Sequence, residues 1–276
     1  MSDLHSAARG RRFWSALALV IGYALLAASA ESGANIAGAG LDPVWAAARS
    51  RGTLRIAVDY GFYPFTDIQN DVPRGYDIDL ARAVAAKLGL RPEFIGTGLD
   101  SVFDDLASNK ADLAASALPY APEQGWRVRF SEFYFNAGQV LVVPDDSPIK
   151  AEADLANRRV AVALGSDADA YARSRAEQIG DMTLVQFETP TDALSAVRQG
   201  QADAAIVDNT SALVDFRDPG LHIAAALTLE PYVLAMPASA FQLQAEVNRA
   251  LDELRRDGTF DKIGRYWFTE APRSLR

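Results

Sequence analysis

Short apolar runs alternate along the chain with segments whose apolar residues recur at helical spacing. Leu54-Arg55-Ile56-Ala57-Val58 reads as a strand. Leu80, Ala81, Val84, Ala85 and Leu88 then share one face of a helix that opens after Gly75 and closes at Gly89. Asp77 and Asp79 fall in its first turn, where acids complement free backbone N–H groups. Arg91–Ile95 reads as the next strand. Strand, helix, strand predicts a right-handed crossover and a parallel sheet.

The alternation continues. Helices are expected over 100–108 and 168–179, and again over 193–199 after a Thr189 cap and Pro190 in the first turn. Strands are expected within 110–116, 139–143, 159–164, 183–187, 200–208 and 232–236. Helix, small polar turn, Ala-Asp and apolar strand occur twice, ending at Ser116 and at Asp208. Two lobes of similar build fit this echo, and so does chance likeness of two helix-to-strand turns. Phe241–Arg256 is a long amphipathic helix with Val247, Ala250, Leu251 and Leu254 inward, stopped by Gly258. Phe260, Ile263, Tyr266 and Trp267 form a last apolar patch, expected to dock on the first lobe.

The N-terminus has a different pattern. Arg9, Arg11 and Arg12 precede an apolar run from Phe13 to Ala28 and the small residues Ala28-Ser29-Ala30. This describes a cleavable signal peptide over 1–30. A retained anchor is the alternative, but the run falls short of the roughly 20 residues that a span needs. Residues 31–52 are expected to be a flexible lead-in containing a short helix over Val44–Ser50, with the folded part starting near Thr53. A formal charge of −9 argues against a nucleic-acid surface. The absence of cysteine excludes disulfides and thiolate metal sites, and His5 and His222 are the only histidines. No metal and no cofactor is expected.

Gly75-Tyr76-Asp77-Ile78-Asp79-Leu80, followed by Val84-Ala85 and Leu88, resembles the signature of the family 3 extracellular solute-binding proteins. These are polar amino-acid and opine receptors of bacterial ABC importers. Later segments resemble the family in order and spacing, from Leu54 to Trp267. The resemblance implies an α/β fold: the two-lobed periplasmic-binding-protein fold (type II, Venus-flytrap) with a two-strand hinge. Lobe 1 would hold residues 53–138 and 231–270, and lobe 2 residues 139–230. The crossings would lie near Asn136-Ala137-Gly138 and Glu230-Pro231-Tyr232, with Gly138 either the pivot or the end of a turn. The implied protein is a periplasmic monomer that closes on an amine- or amino-acid-like small molecule. It would deliver that molecule to an ABC permease in the inner membrane.

Ten residues are candidates for the ligand site. Asp59 follows the first strand and suits either an amine or the capping of the Gly61-Phe62 turn. Phe62 and Phe65 flank Pro64. The resemblance sets an aromatic at Phe62 against the ligand, while Phe65 fits the ligand or the core. Gly165-Ser166-Asp167 opens a helix whose family counterpart holds the ligand carboxylate. Asp167 stands where the family has a hydroxyl, and either caps the helix or faces the cleft. Asp208 ends a strand. Its family counterpart accepts hydrogen bonds from a ligand ammonium, and a cap for the helix near Thr210 is the other role. The segment from Ser116 departs further: Pro119 replaces a hydroxyl, and Gln124 replaces the arginine that grips an α-carboxylate. Arg127 and Arg129 are nearby, but their offset points them elsewhere. These departures weaken carboxylate binding and favour a cationic or zwitterion-poor solute over a free α-amino acid. Two other classes stay open. One is a cyclohexadienyl-dehydratase-like enzyme with Glu123 or Asp167 as acid, and the other is a sensor or dehydrogenase-associated binding protein.

Overall fold

A computed structural model of the protein describes residues 42–215 and 219–270. The expected signal peptide lies outside the described residues. The described residues from Val44 onward form one compact unit.

The chain enters with helix α1 (Pro43–Arg51), strand β1 (Thr53–Val58) and a hairpin of β2 (Asp67–Gln69) and β3 (Val72–Arg74). Helix α2 (Tyr76–Lys87), β4 (Arg91–Gly96), α3 (Val102–Ala107), β5 (Leu113–Pro119) and β6 (Val128–Asn136) follow. The second group is β7 (Gln139–Pro144), β8 (Arg159–Ala163), α4 (Asp167–Ile179), β9 (Thr183–Phe187), α5 (Pro190–Arg198), β10 (Ala204–Asp208), α6 (Asn209–Asp215) and β11 (Leu221–Ala226). The chain then returns through β12 (Pro231–Pro237), α7 (Phe241–Arg256) and α8 (Thr259–Arg265).

Two five-stranded mixed sheets result, in the orders β4-β1-β5-β12-β6 and β11-β7-β10-β8-β9. In the first, β1 runs parallel to β4 and β5, while β12 runs antiparallel to β5 and β6. Helices α2 and α7 bury their apolar stripes on one face, and Val102 and Leu106 of α3 cover the other. In the second, Ala193, Leu194 and Val197 of α5 pack on one face, and Ala168 and Ala172 of α4 pack on the other. Each lobe therefore has its own core.

Several expectations need correction. Helix α1, before Thr53, already belongs to the first core, in which Val44 and Ala48 are buried. The lead-in therefore does not run to residue 52. Strand β6 was unforeseen, although it is an edge strand of the first sheet. Its register against β12 shifts twice, which breaks the inward–outward alternation that marks a strand. Strand β11 and the β2–β3 hairpin were also not expected. Helix α2 is capped differently as well. Its N-cap Gly75 makes no side-chain cap bond. Asp77 turns inward to accept the Ala117 N–H, while Asp79 takes the Trp267 indole N–H at 2.8 Å and pairs with Arg82. Gly75 itself is obligatory: a Cβ there would lie 2.0 Å from the Phe65 carbonyl oxygen.

Candidate functional site

The chain crosses between the sheets twice, at 136–139 and 226–231, and the crossings are tied together. Asn136 Oδ1 accepts the N–H groups of Gly138 and Glu230 at 3.0 and 2.8 Å. Its Nδ2 donates to the Thr228 carbonyl at 3.0 Å. A Cβ on Gly138 would lie 2.5 Å from that same carbonyl oxygen, so a glycine lets the two crossings touch.

A cleft of about 650 Å³ opens beside these crossings, within the range of small-molecule sites. One wall comes from the first lobe: Phe62, Tyr63, Pro64 and Tyr232. The other comes from the second lobe, where strand ends and helix starts converge: Ser166 and Asp167 at α4, Pro190 and Thr191 at α5, Asp208 at the end of β10, and Thr210, Ser211 and Asp215 on α6. Glu230 and Gln139 join from the crossings. The charged residues lining the cleft are Asp167, Asp208, Asp215 and Glu230, with no lysine or arginine among the described residues. Asp215 is already answered by an ion pair with Arg198.

Of the ten candidates, Phe62, Ser166, Asp167 and Asp208 line this cleft. Asp208 Oδ1 caps α6 by accepting the Ser211 N–H at 2.8 Å. Asp59 lies at the C-terminal edge of β1. Its carboxylate accepts the Leu99 N–H at 3.2 Å, and its own N–H donates to Ser116 Oγ at 2.8 Å. Asp59 thus caps a turn, but not the Gly61-Phe62 turn, and Ser116 holds β1 against β5. Pro119 ends β5 opposite Tyr232. Gln124 sits in the turn Pro122–Gln124, outside the cleft lining. Phe65 belongs to the core: it is fully buried among Tyr76, Phe135, Tyr232 and Phe268, and Phe62 stacks on it at 5.6 Å. A small-molecule contact is closed to it, because distant aromatics fill every side.

Residues 54–270 match the bacterial extracellular solute-binding proteins, family 3. The chain belongs to this family. The L-cystine-binding protein TcyA of Bacillus subtilis is 29% identical over 264 residues, covering 92% of this chain and 96% of its own. Among solved structures, an ancestral cationic amino acid solute binding protein aligns with a TM-score of 0.61 at 31% identity, covering 82% of this chain and 99% of that one. An ancestral cyclohexadienyl dehydratase aligns with a TM-score of 0.70 at 28% identity, over 81% and 95% of the two chains. The fold is the two-lobed α/β fold of periplasmic binding proteins.

The anion-receiving groups of this family 3 solute-binding protein are largely occupied from within. At α4, the Gly165 N–H donates to the Asp169 carboxylate at 3.0 Å, and Ser166 Oγ accepts the Asp169 N–H at 3.2 Å. Asp169 is buried and is further held by Arg173 and Gln186. At α5, Thr189 Oγ1 accepts the Asp192 N–H at 3.1 Å. Neither arginine near Gln124 lines the cleft. Arg127 pairs with Asp104 beside Phe103, and Arg129 donates to the Ala238 carbonyl at 2.6 Å. Burial, with the Asp208 charge adding, pushes the Tyr232 phenol up to about 12, so it keeps its proton beside the acidic wall.

Two residues of consequence have roles that the sequence did not signal. Gln139 begins β7 as the cross-strand neighbour of Asp208 and is 4% exposed. Asp77 is fully buried, and desolvation pushes its carboxyl up to about 7 against the opposing bond from Ala117. Ala117, at φ +47° on β5, is held in a left-handed conformation by that bond. A residue at positive φ two positions before Pro119 cannot be read from the chain alone.

Proposed function

We propose that the protein is an extracytoplasmic receptor that closes on a small amine- or amino-acid-like solute and delivers it to an ABC importer. Its preferred ligand is a cation poor in carboxylate. The observation that carries this reading is the charge of the cleft: Asp167, Asp208 and Glu230 line it with no basic side chain among the described residues. A ligand carboxylate entering there would lose water without gaining a counter-charge, which is costly in a closed site. A ligand ammonium or guanidinium gains charge-assisted hydrogen bonds from the same wall. Phe62, half exposed and stacked on Phe65, offers a ring face for the cation or its aliphatic stem.

Family membership supports the transport role and a place outside the cytoplasm, with an inner-membrane permease as partner. The cationic amino acid binder among its relatives supports a positively charged ligand group. The protein works by differential affinity for the closed state and performs no chemistry on its ligand. The hinge is Asn136–Gly138 with the second crossing at Leu227–Glu230, the two lobes closing about the contact between Gly138 and Thr228.

The relative that is an ancestral dehydratase keeps an enzymatic reading in view, with Asp167 the acid that lines the cleft. Glu123 lies in an exposed turn outside the cleft lining. Incubation with prephenate and arogenate, followed by product absorbance, is expected to show no turnover. The binding reading is tested by a thermal-shift screen over amino acids, amines and betaines, with small-angle scattering on the hits. Amines should stabilise the protein and compact it. Stabilisation by neutral or acidic amino acids alone would overturn the ligand class. Binding without compaction would remove the hinge mechanism.

A further inference from the structure

The cleft floor holds an acceptor that the protein itself leaves unused. Gln139 is buried, and its side-chain Oε1 has no hydrogen-bond partner. Its backbone is fully engaged: the N–H donates to Thr228 Oγ1 at 2.7 Å, and the carbonyl accepts from Leu227 and Thr228 at 2.8 and 3.2 Å. Buried side-chain acceptors without partners are rare, because each gives up its hydration without compensation. Gln139 is a cleft-lining residue, so its unpartnered acceptor points to a ligand that supplies the missing donor.

Its position specifies which donor. Gln139 and Asp208 face each other across the antiparallel β7–β10 pair, so their side chains leave the same face of the sheet as close neighbours. Both residues line the cleft. Asp208 uses Oδ1 to cap α6 and, among the described residues, accepts no hydrogen bond at Oδ2. Two acceptors therefore stand side by side, one charged and one neutral.

We propose that Gln139 and Asp208 form a paired acceptor at the cleft floor, which takes two N–H donors from one cationic group of the ligand. This rests on the cationic-ligand reading above and narrows it. The pair favours a guanidinium, amidinium or primary ammonium, each with two or more N–H groups, over a quaternary ammonium, which has none. Asp208 supplies the charge, and Gln139 sets the requirement for a second donor.

Agmatine, putrescine and choline are the probes, tested by calorimetry on the full-length mature protein. Wild-type protein should bind agmatine or putrescine and take choline at least tenfold more weakly. Gln139→Met keeps the side-chain length and removes the acceptor. It should weaken agmatine about tenfold and leave choline unchanged. Gln139→Glu, which retains acceptors, should preserve agmatine binding. A ligand-free measurement gives a second arm. Removing an unsatisfied buried acceptor should raise the melting temperature of Gln139→Met by about 2–4 °C. A fall in melting temperature would show that the carboxamide is paired inside the protein, and would overturn the proposal. Unchanged agmatine affinity in Gln139→Met would do the same while leaving the cationic reading intact. Failure of wild-type protein to bind any of the three probes, or L-arginine, would instead overturn that reading and this pair with it.

Discussion

The two lobes give the cleft walls of opposite character. The first offers rings: Phe62, Tyr63 and Tyr232, backed by the aromatic cluster around Phe65. The second offers helix starts and carboxylates: Ser166 and Asp167 at α4, and Asp208 and Ser211 at α6. The apolar wall can hold many shapes with little polar discrimination. On the proposed reading, the acidic wall decides the charge of what enters. On the same reading, a carboxylate grip is missing on both sides. On the first lobe Gln124 stands where the resemblance implies an arginine, and on the second the Gly165 N–H is taken by Asp169.

The sharpest way to break this division is to remove the charge from the second wall. Asp208→Asn should weaken an amine ligand by about ten- to a hundredfold, the usual worth of a charge-assisted bond. Calorimetry checks the affinity, and an unchanged melting curve checks that the α6 cap survives, since asparagine also accepts at that position. An equal affinity in the variant would mean that the second lobe does not supply the counter-charge.

Gln124→Arg asks which lobe excludes carboxylates. The variant should bind L-arginine about tenfold more tightly than wild type, with agmatine unchanged or weakened. No gain for L-arginine would place the obstacle in the sealed helix starts of the second lobe rather than in the lost arginine. A smaller effect is expected from the aromatic wall. Phe62→Ala should cost an amine ligand about three- to fivefold, the scale of an exposed cation–π contact. A loss as large as that of Asp208→Asn would reverse the roles assigned to the two walls.

The second wall was far more legible in the sequence than the first. Ser166, Thr189-Pro190 and Asp208 announce helix starts and strand ends through local chemistry, and α4, α5 and β10 form where those signals place them. The long α7 was readable for the same reason: Val247, Ala250, Leu251 and Leu254 repeat on one buried face. The first wall depends on partners distant in sequence. Phe65 is core because Phe135, Tyr232 and Phe268 return to it from later strands and the C-terminal turn. Asp77 has the spacing of a helix-start acid, yet it spends its carboxylate on Ala117 across the sheet. Gln139 carries no motif, and its significance comes only from pairing with Asp208 in β7–β10. Strand β6 escaped because shifts in its register blur its period.

A matched pair of ligands tests the central claim most directly. L-arginine and agmatine share a guanidinium and an aliphatic stem, and differ in one carboxylate. Calorimetry at neutral pH and moderate salt isolates that group. The acidic cleft predicts agmatine to bind at least tenfold more tightly than L-arginine, with the preference shrinking as salt screens the charges. L-arginine binding as tightly as agmatine, or more tightly, would contradict the account.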